Sequence, residues 1–243
     1  MPKIKANIRP FLTLPTACRG ALPFTFRELG GWQDPAAESE VTSKTHDADG
    51  AESGFVGCEQ MRFEPFTDLE IGTQQADTGG DPLGKISTSL ATYEDPTALS
   101  PETVKALTVT PPEGFVVNPG QASGLQACGV AESAWTTARE HKRREENDGP
   151  AQCPAASKLG TVLTKSPLIE GAEEKQLEGN VYLLPSNPPE VKLLVAASAD
   201  GVNVKLVLKA ELNESTGQIT TTVENAPELP VSDFKLTLFG GGA

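Results

Sequence analysis

A chain of 243 residues with a formal net charge of -13 is long enough for one large β domain or two smaller ones. Its acidity speaks against a nucleic-acid surface, since the one basic run, His141 to Arg144, is followed at once by Glu145 and Glu146. Only 37% of residues are apolar and 5% aromatic, beside 20 prolines and 23 glycines, a mixture that suits short strands joined by many turns and opposes a helical bundle.

In chain order, Ile4 to Thr16 reads as an edge strand broken by a proline, and Ala21 to Phe26 as another, confined by Pro23 to an edge or a strand end. Gly30 to Pro35 is a turn, and Pro35 to Ser53 a polar, turn-rich excursion between strands. Cys58 to Ile71 has the apolar density of a packed segment, although Pro65 and Thr67-Asp68 prevent one straight strand. Lys85 to Tyr93 alternates with a period of two. Ser100-Pro101-Glu102 predicts a single helical turn, followed by strands at Leu107–Thr110 and Phe115–Val117.

Gln126 to Asp148 is the one stretch with helical character. Ala131, Ala134, Trp135 and Ala138 fall at three-and-four spacing before the breaker Asn147-Asp148-Gly149-Pro150, and the helix reads as a local decoration between two cysteines. Strands follow at Leu159–Thr164 with a continuation at Leu168-Ile169, at Leu177–Leu184, and at Val191–Ala197, whose apolar content marks it as central. Asp200-Gly201 fits a hairpin turn into the most strongly patterned region, Val202 to Leu238. There Val202, Val204, Leu206 and Leu208 point one way and Asn203, Lys205 and Lys209 the other. The turn-like Asn213 to Gly217 separates this strand from Ile219–Val223, and Phe234–Phe239 closes the series before a glycine run.

Four cysteines, Cys18, Cys58, Cys128 and Cys153, fit no zinc spacing, and with two histidines in the chain no metal or cofactor is expected. Three pairings are open to them. The one closing the shortest loops joins Cys18 to Cys58 and Cys128 to Cys153, and two disulfides imply an oxidising, extracytoplasmic setting.

The search for a catalytic constellation yields none. His46 and His141 read as solvent-facing, and neither a nucleophile elbow nor a phosphate loop is present. Asp47, Asp49 and Glu52 lack the rest of a calcium loop, and Asp68 and Glu70 read as an acidic strand edge. Asn213-Glu214-Ser215 matches an N-glycosylation acceptor. Trp32 and Trp135 are the candidate contact residues for a glycan or protein partner. No run reaches the roughly 18 apolar residues of a membrane span, and no hydrophobic signal segment follows Met1 to Lys5.

The run Leu12 to Cys18 resembles large, uncharacterised secreted or surface-exposed proteins of actinobacteria built from series of β-rich modules. The similar text continues in Phe63 to Phe66, Leu107 to Gly114 and on to Pro119, Gly124 to Cys128, Cys153 to Val162, Gly179 to Leu183, and Gly217 to Pro230. The resemblance implies secretion and disulfides and brings no catalytic residues with it. Two departures stand out: these proteins have a longer strand region where Ala76 to Gly84 stands, and the charged run Arg139 to Glu146 is particular to this chain.

The expectation is an all-β, disulfide-containing protein of Ig-like or related β-sandwich modules with one short helical excursion. An N-terminal β-rich module with a long polar loop spans residues 1–95, and a β-sandwich module spans 96–243. Its expected role is a non-catalytic structural or adhesive module at the cell surface or outside the cell, whose partners are other modules or copies of itself. The alternative is a carbohydrate- or protein-binding module, with surface glycans as possible ligands.

Overall fold

The computed structural model describes residues 14, 16–34, 36, 39–71, 84–90, 101–111, 124–135, 149–166, 176–187, 189–199, 201–213, 215–224 and 226–238. The expected strands at Ile4–Thr16 (but for its last residues), Phe115–Val117 and Leu168-Ile169, together with His141, lie outside them. The chain forms two compact units, one of Met1–Arg62 with Leu99–Glu102, the other of Phe63–Ala98 with Thr103–Ala243.

The first unit is built on a two-stranded antiparallel ribbon of β1 (Pro23–Leu29) and β2 (Ser39–Lys44). β2 lies within the stretch expected to be an excursion without strands. Its short alternation Glu40-Val41-Thr42-Ser43 is masked in the sequence by the polar residues around it, and pairing with β1 stabilises it. The disulfide Cys18–Cys58 closes this unit across 40 residues, worth about 4 kcal/mol in the chain-entropy account.

The second unit is one nine-stranded antiparallel sheet in the order β3-β4-β11-β6-β7-β8-β9-β10-β5. In chain order its strands are β3 (Pro65–Ile71), β4 (Gly84–Leu90), β5 (Leu107–Val109), β6 (Lys158–Lys165), β7 (Gln176–Leu184), β8 (Glu190–Ala199), β9 (Val202–Leu212), β10 (Ile219–Val223) and β11 (Asp233–Leu238). β3 and β4, placed by the sequence in the N-terminal module, pair into this sheet through β11. Strands β6 to β10 follow one another across the sheet as a meander. Gly201 (φ 83) stands in the hairpin turn between β8 and β9, and Gly217 (φ 70) supplies the left-handed backbone of the next. In that turn Asn213 Oδ1 accepts from the Ser215 and Thr216 N–H groups and from the Ser215 hydroxyl.

Instead of lying beside β10, β11 sits on the far side of the meander, between β4 and β6. The connection between them is laced to both flanks on its way: the Ala226 N–H donates to the Lys105 carbonyl, the Ser232 N–H to the Lys165 carbonyl, and the Ser166 hydroxyl to the Pro230 carbonyl.

The cross-strand registers put Val162, Leu177, Val181, Val195, Ala197, Leu208 and Leu236 on one face, and these form the main core with Leu193, Val204, Leu206, Val223, Phe234 and Leu238 packed against it. The inner faces expected of a sandwich thus belong to a single continuous sheet, which curls. Gly179 and Gly160 permit close strand approach. A Cβ on Gly179 would meet the Ala196 carbonyl oxygen, and one on Gly160 the Thr237 carbonyl oxygen.

The opposite face of β7, β8 and β9 is covered by the segment tied by Cys128–Cys153, a disulfide of sequence separation 25 that contributes about 3.5 kcal/mol on the same account. Cys128, Tyr182, Leu184, Leu194 and Ala196 are buried together there, with Trp135, Ala151, Cys153 and Val207 packed against them. Read from the sequence as decoration, this excursion is the second lid of the core. Its helix, α1, is confined to Val130–Ser133, and Ala134 ends it in the left-handed region at φ 46. The helical spacing breaks at Ala134 because this part of the segment is held flat on the sheet; the rest of the stretch expected to be helical, 136–148, lies outside the described residues. The Cys128 N–H donates to the Leu183 carbonyl, the Gln152 N–H to the Glu132 carbonyl, and Lys205 Nζ to the Ala134 carbonyl. Residues 101–106 likewise carry no helical turn.

Candidate interaction surface

Along β1 and β2, alternation and register divide the side chains between two faces. Thr25 lies opposite Thr42 with their hydroxyls 3.1 Å apart, and on the same face Arg27 Nε pairs with Glu40 Oε2 at 3.2 Å. Every polar group in that row has a partner. Phe24 and Phe26 point to the other face, and Val41 stands directly opposite Phe26. These three side chains are 57%, 55% and 51% exposed. No described residue of Met1–Arg62 is buried, so the unit has no core among the described residues.

The base of the ribbon is fixed by Thr45. Its hydroxyl accepts from the Leu22 N–H at 2.8 Å and donates to the Ser53 carbonyl at 2.6 Å, while its N–H donates to the Leu22 carbonyl. Beyond it, Asp47 is used as a turn residue: Oδ1 accepts from the Asp49 and Ala51 N–H groups, both at 3.0 Å. Glu52 pairs with Lys44 at 2.7 Å, and His46 bridges to Glu52 through the backbone with its Nδ1 3.0 Å from the Asp47 carbonyl oxygen. The Asp47, Asp49 and Glu52 carboxylates thus belong to a hairpin loop, and among the described residues no group of three or more His, Cys, Asp or Glu side chains is placed to hold a metal ion.

The two tryptophans part company. Trp32, in the bend after β1, is fully exposed. Trp135 is half-buried against the cluster around Cys128, with its backbone N–H donated to Ser133 Oγ. The four cysteines form the two disulfides of the shortest-loop pairing, with Cα atoms 5.7 and 5.2 Å apart and no free cysteine. Asp68 is exposed on β3, opposite Ser87 of β4.

No protein-family model, curated protein or solved structure matches this chain. Sites beyond those read from the sequence therefore come from the coordinates alone. The second unit holds one that pairing reveals, a shallow hollow of about 570 Å3 over β11, β6 and β7. Register sets two rows across its floor, Lys235–Leu163–Glu178 and Thr237–Thr161–Asn180, and the Asn180 amide donates to the Tyr182 hydroxyl at 3.0 Å. The floor offers hydrogen-bond donors and acceptors around one apolar side chain. These residues are far apart in sequence, so only knowledge of the strand order brings them together. The ribbon's apolar face was within reach of the sequence, because Phe24-Thr25-Phe26 alternates openly, but it is completed by Val41, whose strand was missed. No helix among the described residues is long and apolar enough to cross a membrane.

Proposed function

We propose that the chain is a non-catalytic structural or adhesive module of an extracellular or cell-surface assembly, engaging other modules or copies of itself. The observation that carries this reading is the two-faced ribbon. One face is a closed polar row, while the other turns Phe24, Phe26 and Val41 to solvent on a unit with no buried residue among those described. Aromatic side chains left on a disulfide-stapled β surface serve contact better than chemistry. The two disulfides support the oxidising setting, and the resemblance to secreted β-rich module proteins points to the same location.

The test is light scattering and solid-phase binding to further copies, comparing the native chain with Phe24→Ser/Phe26→Ser. Concentration-dependent association that the double substitution abolishes is the expected result. A chain that stays monomeric and inert at high micromolar concentration overturns the reading. The second reading, a carbohydrate- or protein-binding module, draws on the full exposure of Trp32, and its mark is binding to a glycan panel that Trp32→Ala removes. Trp135 supports it less, since its ring is engaged in packing.

A further inference from the structure

We infer that the two disulfides differ in kind: Cys18–Cys58 is a latch that a thiol reductant releases, opening the first unit, while Cys128–Cys153 is a permanent tie. Exchange requires a thiolate to reach a sulfur in line with the bond it breaks. Cys18 is exposed and Cys58 half-buried. Cys128 has no exposed surface and lies among Tyr182, Leu184, Leu194 and Ala196, with Cys153 packed beside it.

A second observation favours cleavage of the first bond. The Cys58 N–H points at Cys18 Sγ, 3.2 Å away. When the bond breaks towards Cys18, that N–H stabilises the charge growing on the departing sulfur, and a better-stabilised thiolate leaves faster. With a dithiol reductant the step balances. One reductant thiolate attacks a cystine sulfur, forms a mixed disulfide and expels the other cysteine as a thiolate. The second reductant thiol then displaces the first cysteine, so two electrons and two protons pass to the pair and the reductant departs as a cyclic disulfide.

The consequences for the two units are unequal. The first has no buried described residue and rests on a two-stranded ribbon, a structure that is marginal alone in water. Opening its 40-residue loop therefore frees the ribbon. The segment closed by Cys128–Cys153 is also held by the Cys128 N–H bond to the Leu183 carbonyl, by the Gln152 N–H bond to the Glu132 carbonyl and by the Lys205 contact to Ala134, over a sheet whose main core lies on the opposite face.

The experiment is a graded dithiothreitol titration of the native chain, with acid quench, differential alkylation and mass mapping, run beside limited proteolysis. Labelling of Cys18 and Cys58 is expected at reductant concentrations at least about tenfold below those that label Cys128 and Cys153, with new cleavages confined to residues 1–62. Simultaneous labelling, or earlier labelling of Cys128 and Cys153, overturns the inference. The variant Cys18→Ser/Cys58→Ser supplies an independent arm. It should be cleaved in residues 1–62 without reductant while the sheet's circular dichroism is unchanged; persistent protection of that region would show that the bond latches nothing.

Discussion

Replacing Leu194 by alanine tests whether the segment around Cys128 seals the sheet. Leu194 has no exposed surface and stands on the face of β8 that this segment covers, against Cys128, Tyr182 and Leu184. Removing three carbons at about 0.8 kcal/mol each forfeits about 2.4 kcal/mol of transfer free energy. The cavity left between a strand and a disulfide-held lid, neither free to collapse, brings the loss to about 3–4 kcal/mol. For a unit of this size the melting temperature falls by about 6–16 °C. Trp135 packs against the same cluster, so in a Trp32→Phe background its emission follows the lid directly in a urea titration. Leu177→Ala, on the opposite face and equally buried, serves as the reference and should lose a similar amount. A loss below about 1 kcal/mol for Leu194→Ala with native Trp135 emission would refute a sealed second face and return the excursion to decoration.

Three further outcomes follow from local geometry. Gly179→Ala forces a methyl group onto the Ala196 carbonyl oxygen and should cost about 1–3 kcal/mol or more, read as a lowered urea midpoint. Ala134→Gly relieves a left-handed alanine at φ 46 and should raise stability by about 0.5–1 kcal/mol in the same titration; a decrease would mean that the methyl group packs more usefully than the backbone is strained. Arg27→Ala removes an ion pair whose side chains are both 58% exposed, and calorimetry should show a change within about 0.5 kcal/mol.

The strands were legible wherever period-two alternation ran unbroken. Val202 to Leu208 lies on the faces its pattern assigns, and the uninterrupted apolar run Leu193 to Ala197 reflects burial on both sides of β8. That same run was a signal that something covers the second face. The covering segment escaped notice because it is held by a disulfide, backbone bonds and a lysine, none of which has a periodicity. The helical spacing of Ala131, Ala134 and Trp135 promised more than one turn, and at Ala134 tertiary ties prevailed over local propensity. The division into units was equally hidden, since the pairing of Ile86 with Leu236 leaves no mark on either segment. At the candidate surface, Trp32 and Trp135 look alike as letters, and only packing separates an exposed side chain from one beneath a lid.

The insertion of β11 between β4 and β6 dictates an order of assembly. The β3–β4 hairpin can close on itself once Leu90 has been made, yet its place in the sheet exists only after Leu238 has joined, about 150 residues later. The meander from β6 to β10 forms from neighbours and needs no such delay. Until β11 bridges the two, an early hairpin waits with an unpaired edge, and the sheet is finished only once β11 has been made. The period of waiting is when the hairpin is most open to pairing with the wrong edge.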